Sequence, residues 1–210
     1  MSAKVQAGGI LRTSSDQTWR TPRLLRERTA LVYFRGVPFL DPACPPDNPL
    51  GAARFFCGPT PAGVPTRGPL FGEPTEEEAN RLDGLSEPWD MPWWLNPPFK
   101  GAPEWFAKVV AEVERQPAQP GVMLLPVNRT EETFTHELFD RARVMHLVRW
   151  PTGRHRIPFE SSLDGVEVDK NPFGSWLLRF GEEPAAGRWL EAFGDLGASY
   201  EIAPMRRKGA

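Results

Sequence analysis

The apolar positions of this chain fall into two kinds of run. Val122–Met123–Leu124–Leu125–Pro126 is continuously apolar, the pattern of a strand covered on both faces. Over 102–114, by contrast, Trp105, Phe106, Val109, Val110 and Val113 recur at helical spacing and predict an amphipathic helix. Short apolar segments at 37–40, 54–57, 92–95, 144–150 and 175–180 predict further strands. The patterns at 131–140 and 185–193 predict further helices, and 75–81 a short acidic one. Near the start, Thr21 can cap a helix that Pro22 opens, Leu24, Leu25, Leu31 and Val32 give it an imperfect apolar face, and Gly36 ends it. Strands alternating with helices predict an α/β architecture, a mainly parallel sheet with helices on both faces.

Composition narrows this picture. The 210 residues, 40% hydrophobic and 25% charged, suit one globular domain with a real core. The 24 prolines and 19 glycines are more than long helices tolerate, so structured loops are expected around a modest set of elements. We expect a loosely ordered segment at 1–17, one domain over 18–205 with a Pro/Gly-rich insertion at 58–74, and a basic tail at 206–210. The net charge of −2 disfavours bulk coating of nucleic acid but leaves room for a local basic cleft. Two cysteines, Cys44 and Cys57, without a CxxC, and three histidines not spaced as a triad offer no metal centre. No apolar run is long enough to cross a bilayer and the N-terminus lacks a signal-peptide core, so a cytoplasmic protein is expected.

The chemistry is concentrated in polar turns that follow strands. The strand at 92–95 runs directly into Asn96–Pro97–Pro98–Phe99. Proline has no N–H for a sheet ladder and fixes φ near −65°, so this turn is rigid and carries acceptors rather than donors. Leu40–Asp41–Pro42–Ala43 ends an earlier strand in the same way. Ligands of open α/β sheets bind beyond the carboxyl ends of the strands, where both turns are expected. Taken alone, Asp41–Pro42 also reads as a turn initiator, and Asn96 as a capping amide.

In order along the chain, several segments carry a resemblance. They are Asp16–Gln17–Thr18–Trp19–Arg20–Thr21–Pro22, Leu40–Asp41–Pro42–Ala43, Asp83–Gly84–Leu85 with Trp89, Asn96–Pro97–Pro98–Phe99, Leu124–Leu125–Pro126, and Gly153–Arg154–His155–Arg156–Ile157–Pro158–Phe159. Asn96–Pro97–Pro98–Phe99 is similar to the (D/N/S)PP(Y/F/W) motif of S-adenosylmethionine-dependent amino-methyltransferases. The ordered series resembles the phage-type, Dam-like DNA N-6-adenine methyltransferase family over most of 16–180. The chain departs from the pattern in a first motif without the usual Gly-rich form, in the 58–74 insertion, and in GRHRIPF where GRLKF is expected.

The resemblance implies a Rossmann-like methyltransferase sheet, mainly parallel, with an antiparallel strand near the C-terminus. It implies S-adenosylmethionine as cofactor, with Trp19, Thr21 and Pro22 near its methionine end and Asp41, Pro42 and Ala43 in the turn beneath it. Asp83 would accept a hydrogen bond from the cofactor's adenine amino group, with Leu85 packing on its ring; no acidic ribose ligand is identified. The catalytic residues implied are Asn96, Pro97, Pro98 and Phe99. The Asn96 amide oxygen and the Pro97 carbonyl would accept hydrogen bonds from the N6 amino group of adenine, and Phe99 would stack on the base. DNA, double- or single-stranded, is the expected substrate, in a bacterial or phage-infected cytoplasm, with no metal and no membrane. Trp150, Arg154, His155 and Arg156 would contact it, although the same run also reads as a solvated basic loop. Other readings are the same chemistry on RNA, a free nucleotide or a protein amide, and a non-catalytic binding protein that keeps the fold.

Overall fold

The computed structural model describes residues 20–45, 48–56, 83–98, 101–127, 133–151, 157–160, 167–168 and 174–202. The segments expected at 1–17, 58–74, 75–81 and 206–210 lie outside them. The frame is a sheet in the order β2-β1-β3-β4-β8-β5-β9. Its strands are β1 (Leu40–Asp41), β2 (Arg54–Phe55), β3 (Trp93–Leu95), β4 (Gly121–Pro126), β5 (Val144–Val148), β8 (Ser175–Phe180) and β9 (Gly197–Glu201). A separate antiparallel pair joins β6 (Phe159–Glu160) to β7 (Glu167–Val168).

Pairing is parallel from β2 through β1 and β3 to β4, then antiparallel across β8, β5 and β9. The fold is therefore α/β with a mixed sheet, and two strands, β8 and β9, run against the rest. Side-chain alternation divides the core. Trp94, Val122, Leu124, Val144, Val148 and Leu177 face one layer of helices, while Trp93, Leu95, Met123, Leu125, Leu178 and Phe180 face the other.

On the first face lies α1 (Arg23–Glu27), which continues as π turns over Arg28–Tyr33, together with α4 (Arg188–Phe193). The Phe34 N–H reaches back five residues to the Thr29 carbonyl at 2.9 Å. The wider turn changes the buried set: Leu25, Thr29 and Tyr33 point inward, while Leu31, expected on the apolar face, is 67% exposed. Thr21 does not cap this helix; Pro22 occupies the N-cap position, and a glutamate from β6 takes the first N–H.

On the second face, α2 (Ala102–Arg115) buries Trp105, Phe106, Val109, Val110 and Val113, the stripe expected from their spacing. It packs beside α3 (Thr133–Arg141). Glu112 is also buried on α2. It accepts from Lys108 Nζ and Arg115 Nη2, each at 2.6 Å, and from the Trp89 N–H at 3.3 Å. Burial by itself would raise the Glu112 carboxyl, but the bonds from Lys108 and Arg115 outweigh it and hold the group below its ordinary range. This clamp fixes the Trp89 loop, which leads back to the strand ends.

Among the described residues no helix is long and apolar enough to cross a membrane, and no group of three His, Cys, Asp or Glu side chains is arranged to hold a metal ion.

Candidate active site

The parallel strands β1 and β3 are neighbours, with Leu40 opposite Trp93. Their following turns, Asp41–Pro42–Ala43 and Asn96–Pro97–Pro98, therefore emerge side by side at the carboxyl edge of the sheet. Each turn exists because its strand cannot continue: proline supplies no ladder donor and holds its φ. Pro42 and Pro97 are buried, Asn96 and Pro98 half-buried.

The third segment converges on the same edge. A methyl group added at Gly84 would overlap the Pro42 carbonyl oxygen, so only glycine allows the two backbones to approach so closely. The loop is held by Trp89, whose indole N–H donates to the Gly84 carbonyl at 2.9 Å. Asp83 folds the loop locally: its Oδ1 accepts from the Leu85 N–H at 3.0 Å and its carbonyl from the Ser86 and Glu87 N–H groups. That leaves Oδ2 as the carboxylate oxygen Asp83 has to offer. Leu85 is half-buried against the second core layer.

Asp41 is only 3% exposed. Burial pushes its carboxyl up to about 7, against the Ala43 N–H and the Cys44 thiol, which both favour the ionised form. The Ala43 N–H donates to Asp41 Oδ1 at 3.2 Å, closing a tight turn.

Asn96 receives the most specific support. Its Nδ2 donates to Thr21 Oγ1 at 3.2 Å, across 75 positions of sequence. Thr21 is itself buried, at 4% exposure. This bond commits the amide nitrogen and leaves Oδ1 as an acceptor. Among the described residues no donor meets Asn96 Oδ1 or the Pro97 carbonyl. Thr21, expected near the cofactor, thus bears directly on the proline turn.

What holds Thr21 there is Glu160, a residue not singled out from the sequence. Arg20 and Glu160 exchange two main-chain hydrogen bonds, each 3.1 Å long. The Glu160 carboxylate accepts from the Arg23 N–H through Oε1 and from Arg26 Nη2 through Oε2, both at 2.6 Å. With its residue only 5% exposed, it anchors the strap Arg20–Thr21–Pro22 at both ends. The available signal was position alone, because Glu160 directly follows Ile157–Pro158–Phe159. The Ser175 hydroxyl, at the start of β8 opposite Pro126, is buried and has no hydrogen-bond partner among the described residues, on the sheet face that carries Leu177.

Trp150, expected at a nucleic-acid surface, is 6% exposed and packs in the core layer with Leu25, Ile157 and Phe159. A large apolar ring beside the end of β5 gains more from burial than from solvent. Trp19, Phe99, Arg154, His155 and Arg156 lie outside the described residues. Thr21, Pro22, Asp41, Pro42, Ala43, Asp83, Leu85, Asn96, Pro97 and Pro98 are described, and their segments are drawn to one edge by the contacts above.

No protein-family model and no curated protein matches this chain.

Proposed function

We propose that the protein is an S-adenosylmethionine-dependent amino-methyltransferase acting on the N6 amino group of adenine in DNA. The observation that carries the reading is a pair of acceptors, Asn96 Oδ1 and the Pro97 carbonyl, that no donor meets among the described residues, on a rigid turn at the carboxyl edge. An exocyclic amino group has two hydrogens to donate and a lone pair delocalised into its ring. Two acceptors on those hydrogens favour a pyramidal nitrogen and offset the positive charge that develops as the methyl group arrives. Because the prolines fix the turn in advance, the acceptors need little reorganisation, which is electrostatic preorganisation. Neutral Asn96 offsets less charge than a carboxylate would and contributes chiefly by aligning the nitrogen.

The sheet adds support. A strand running antiparallel, β8, is inserted between β4 and β5, in keeping with the antiparallel strand near the C-terminus that the resemblance implies, while β9 is a second strand of that direction. The residues at the edge also suit the cofactor. Asp83 Oδ2 and the Asp41 side chain offer acceptor oxygens for a molecule whose ammonium, ribose and adenine groups are donors. Thr21, Pro22, Pro42, Ala43 and Leu85 would complete its surroundings, and when bound it supplies the electrophilic methyl group. Phe99 would stack on a base taken out of the duplex or presented in a single strand. The basic segment at 154–156 would contact phosphates.

Cofactor binding and methyl transfer can be tested together. S-adenosylmethionine at saturating concentration is expected to raise the melting temperature by mass action. Labelled methyl is expected in duplex or single-stranded DNA with the native protein, and to fall sharply with Asn96→Ala. Binding without label in DNA would redirect the search to RNA, nucleotides or protein amides. Absence of both would leave a binding protein that keeps the fold.

A further inference from the structure

Resting on that reading of the site, we infer that Glu160 and Thr21 are positioning residues that set the orientation of the Asn96 amide. A free amide can turn either its oxygen or its nitrogen toward a ligand; only the first accepts from an amino group. In the arrangement seen, Thr21 Oγ1 accepts from Nδ2, so the Asn96 oxygen is the end turned away from Thr21. Thr21 can do so only while its strap is seated, and the seat is Glu160. The main chain of Glu160 pairs with Arg20 on one side of Thr21, and its carboxylate holds the Arg23 N–H on the other. Arg26 neutralises that carboxylate through a half-buried ion pair, with side chains 18% and 7% exposed. A shift at Glu160 is therefore transmitted through three consecutive residues to the acceptor on the turn that follows β3.

The direct readout is the side-chain amide resonance pair of Asn96 in a nitrogen–proton correlation spectrum, identified as the pair lost in Asn96→Asp. One of its two protons is expected to be displaced and slow to exchange in the native protein. Thr21→Val should return the pair to free-amide behaviour, and Thr21→Ser should keep it. Glu160→Ala should move the pair in the same direction with Thr21 intact. Should that variant not fold, Glu160→Asp serves: its shorter carboxylate cannot span the Arg23 N–H and Arg26 together. In the methyl-transfer assay kcat should fall by about three- to tenfold in Thr21→Val, the rate equivalent of one hydrogen bond, with KM for DNA little changed. Thr21→Ser should recover it. Asn96 resonances unchanged in every folded Glu160 variant would overturn the coupling. Resonances that respond as described in a protein that transfers no methyl group would refute the catalytic reading and leave the coupling standing.

Discussion

Asp41 is a buried carboxyl whose charge the fold opposes, and Asp41→Asn tests that directly. Burial pushes its carboxyl from 3.8 to about 7, while the Ala43 N–H and the Cys44 thiol pull the other way. In the unfolded chain the group releases its proton near 3.8. Between those values the folded state holds a proton that the unfolded state has lost, so stability falls as pH rises. The contribution is complete below about pH 4 and is lost as the pH climbs through about 7. A gap of about three pH units at 1.36 kcal/mol each gives an upper figure of about 4 kcal/mol. The amide introduced by Asp41→Asn would keep an oxygen for the Ala43 N–H and carry no charge at any pH. Urea unfolding of both proteins at about pH 4 and about pH 8 reads the effect as a difference, which cancels other titrating groups. The variant is expected to match the native protein at the lower pH and to exceed it by about 2–4 kcal/mol at the higher. A stability difference that is the same at both pH values would refute the reasoning.

Three other perturbations probe the frame. Gly84→Ala drives a methyl group into the Pro42 carbonyl; about 1–3 kcal/mol of stability should be lost in chemical denaturation, and cofactor-induced stabilisation should shrink. Glu112→Ala leaves Lys108, Arg115 and the Trp89 N–H without their shared acceptor, so a loss of about 3 kcal/mol is expected in the same assay. His146 is fully buried, and burial holds its ring below the ordinary value of 6.5 despite opposing effects from Leu196 and Asp195. Its contribution is present above 6.5 and lost as pH falls below it, so His146→Phe should flatten the acid side of the thermal-stability profile.

Legibility in the sequence followed burial. Gly121–Pro126 and Ala102–Arg115 were evident because one is covered on both faces and the other on one stripe, so their apolar spacing carries the answer. β9 left no trace, since Gly197–Glu201 is an edge strand whose residues are mostly exposed. The π turns were equally invisible: an extra residue per turn shifts the inward face from Leu31 to Thr29 and Tyr33 without altering composition. At the site, Asn96 and Asp41 stood out because proline follows each one, a local signal. Glu160 and the Thr21–Asn96 bond did not, because they depend on segments separated by 137 and 75 positions meeting in space. Trp150 has basic neighbours that suggest a surface, yet its own ring is buried in the core layer, which local sequence does not reveal.

The central claim is that Asn96 and the Pro97 carbonyl direct a methyl group onto N6 of adenine. The most direct measurement uses S-adenosylmethionine with a deuterated methyl group and unmethylated DNA, followed by digestion to nucleosides and mass spectrometry. The account predicts labelled N6-methyldeoxyadenosine with the native protein and little or none with Asn96→Ala. Label on another base, or undiminished N6 label from the Asn96→Ala protein, would contradict it.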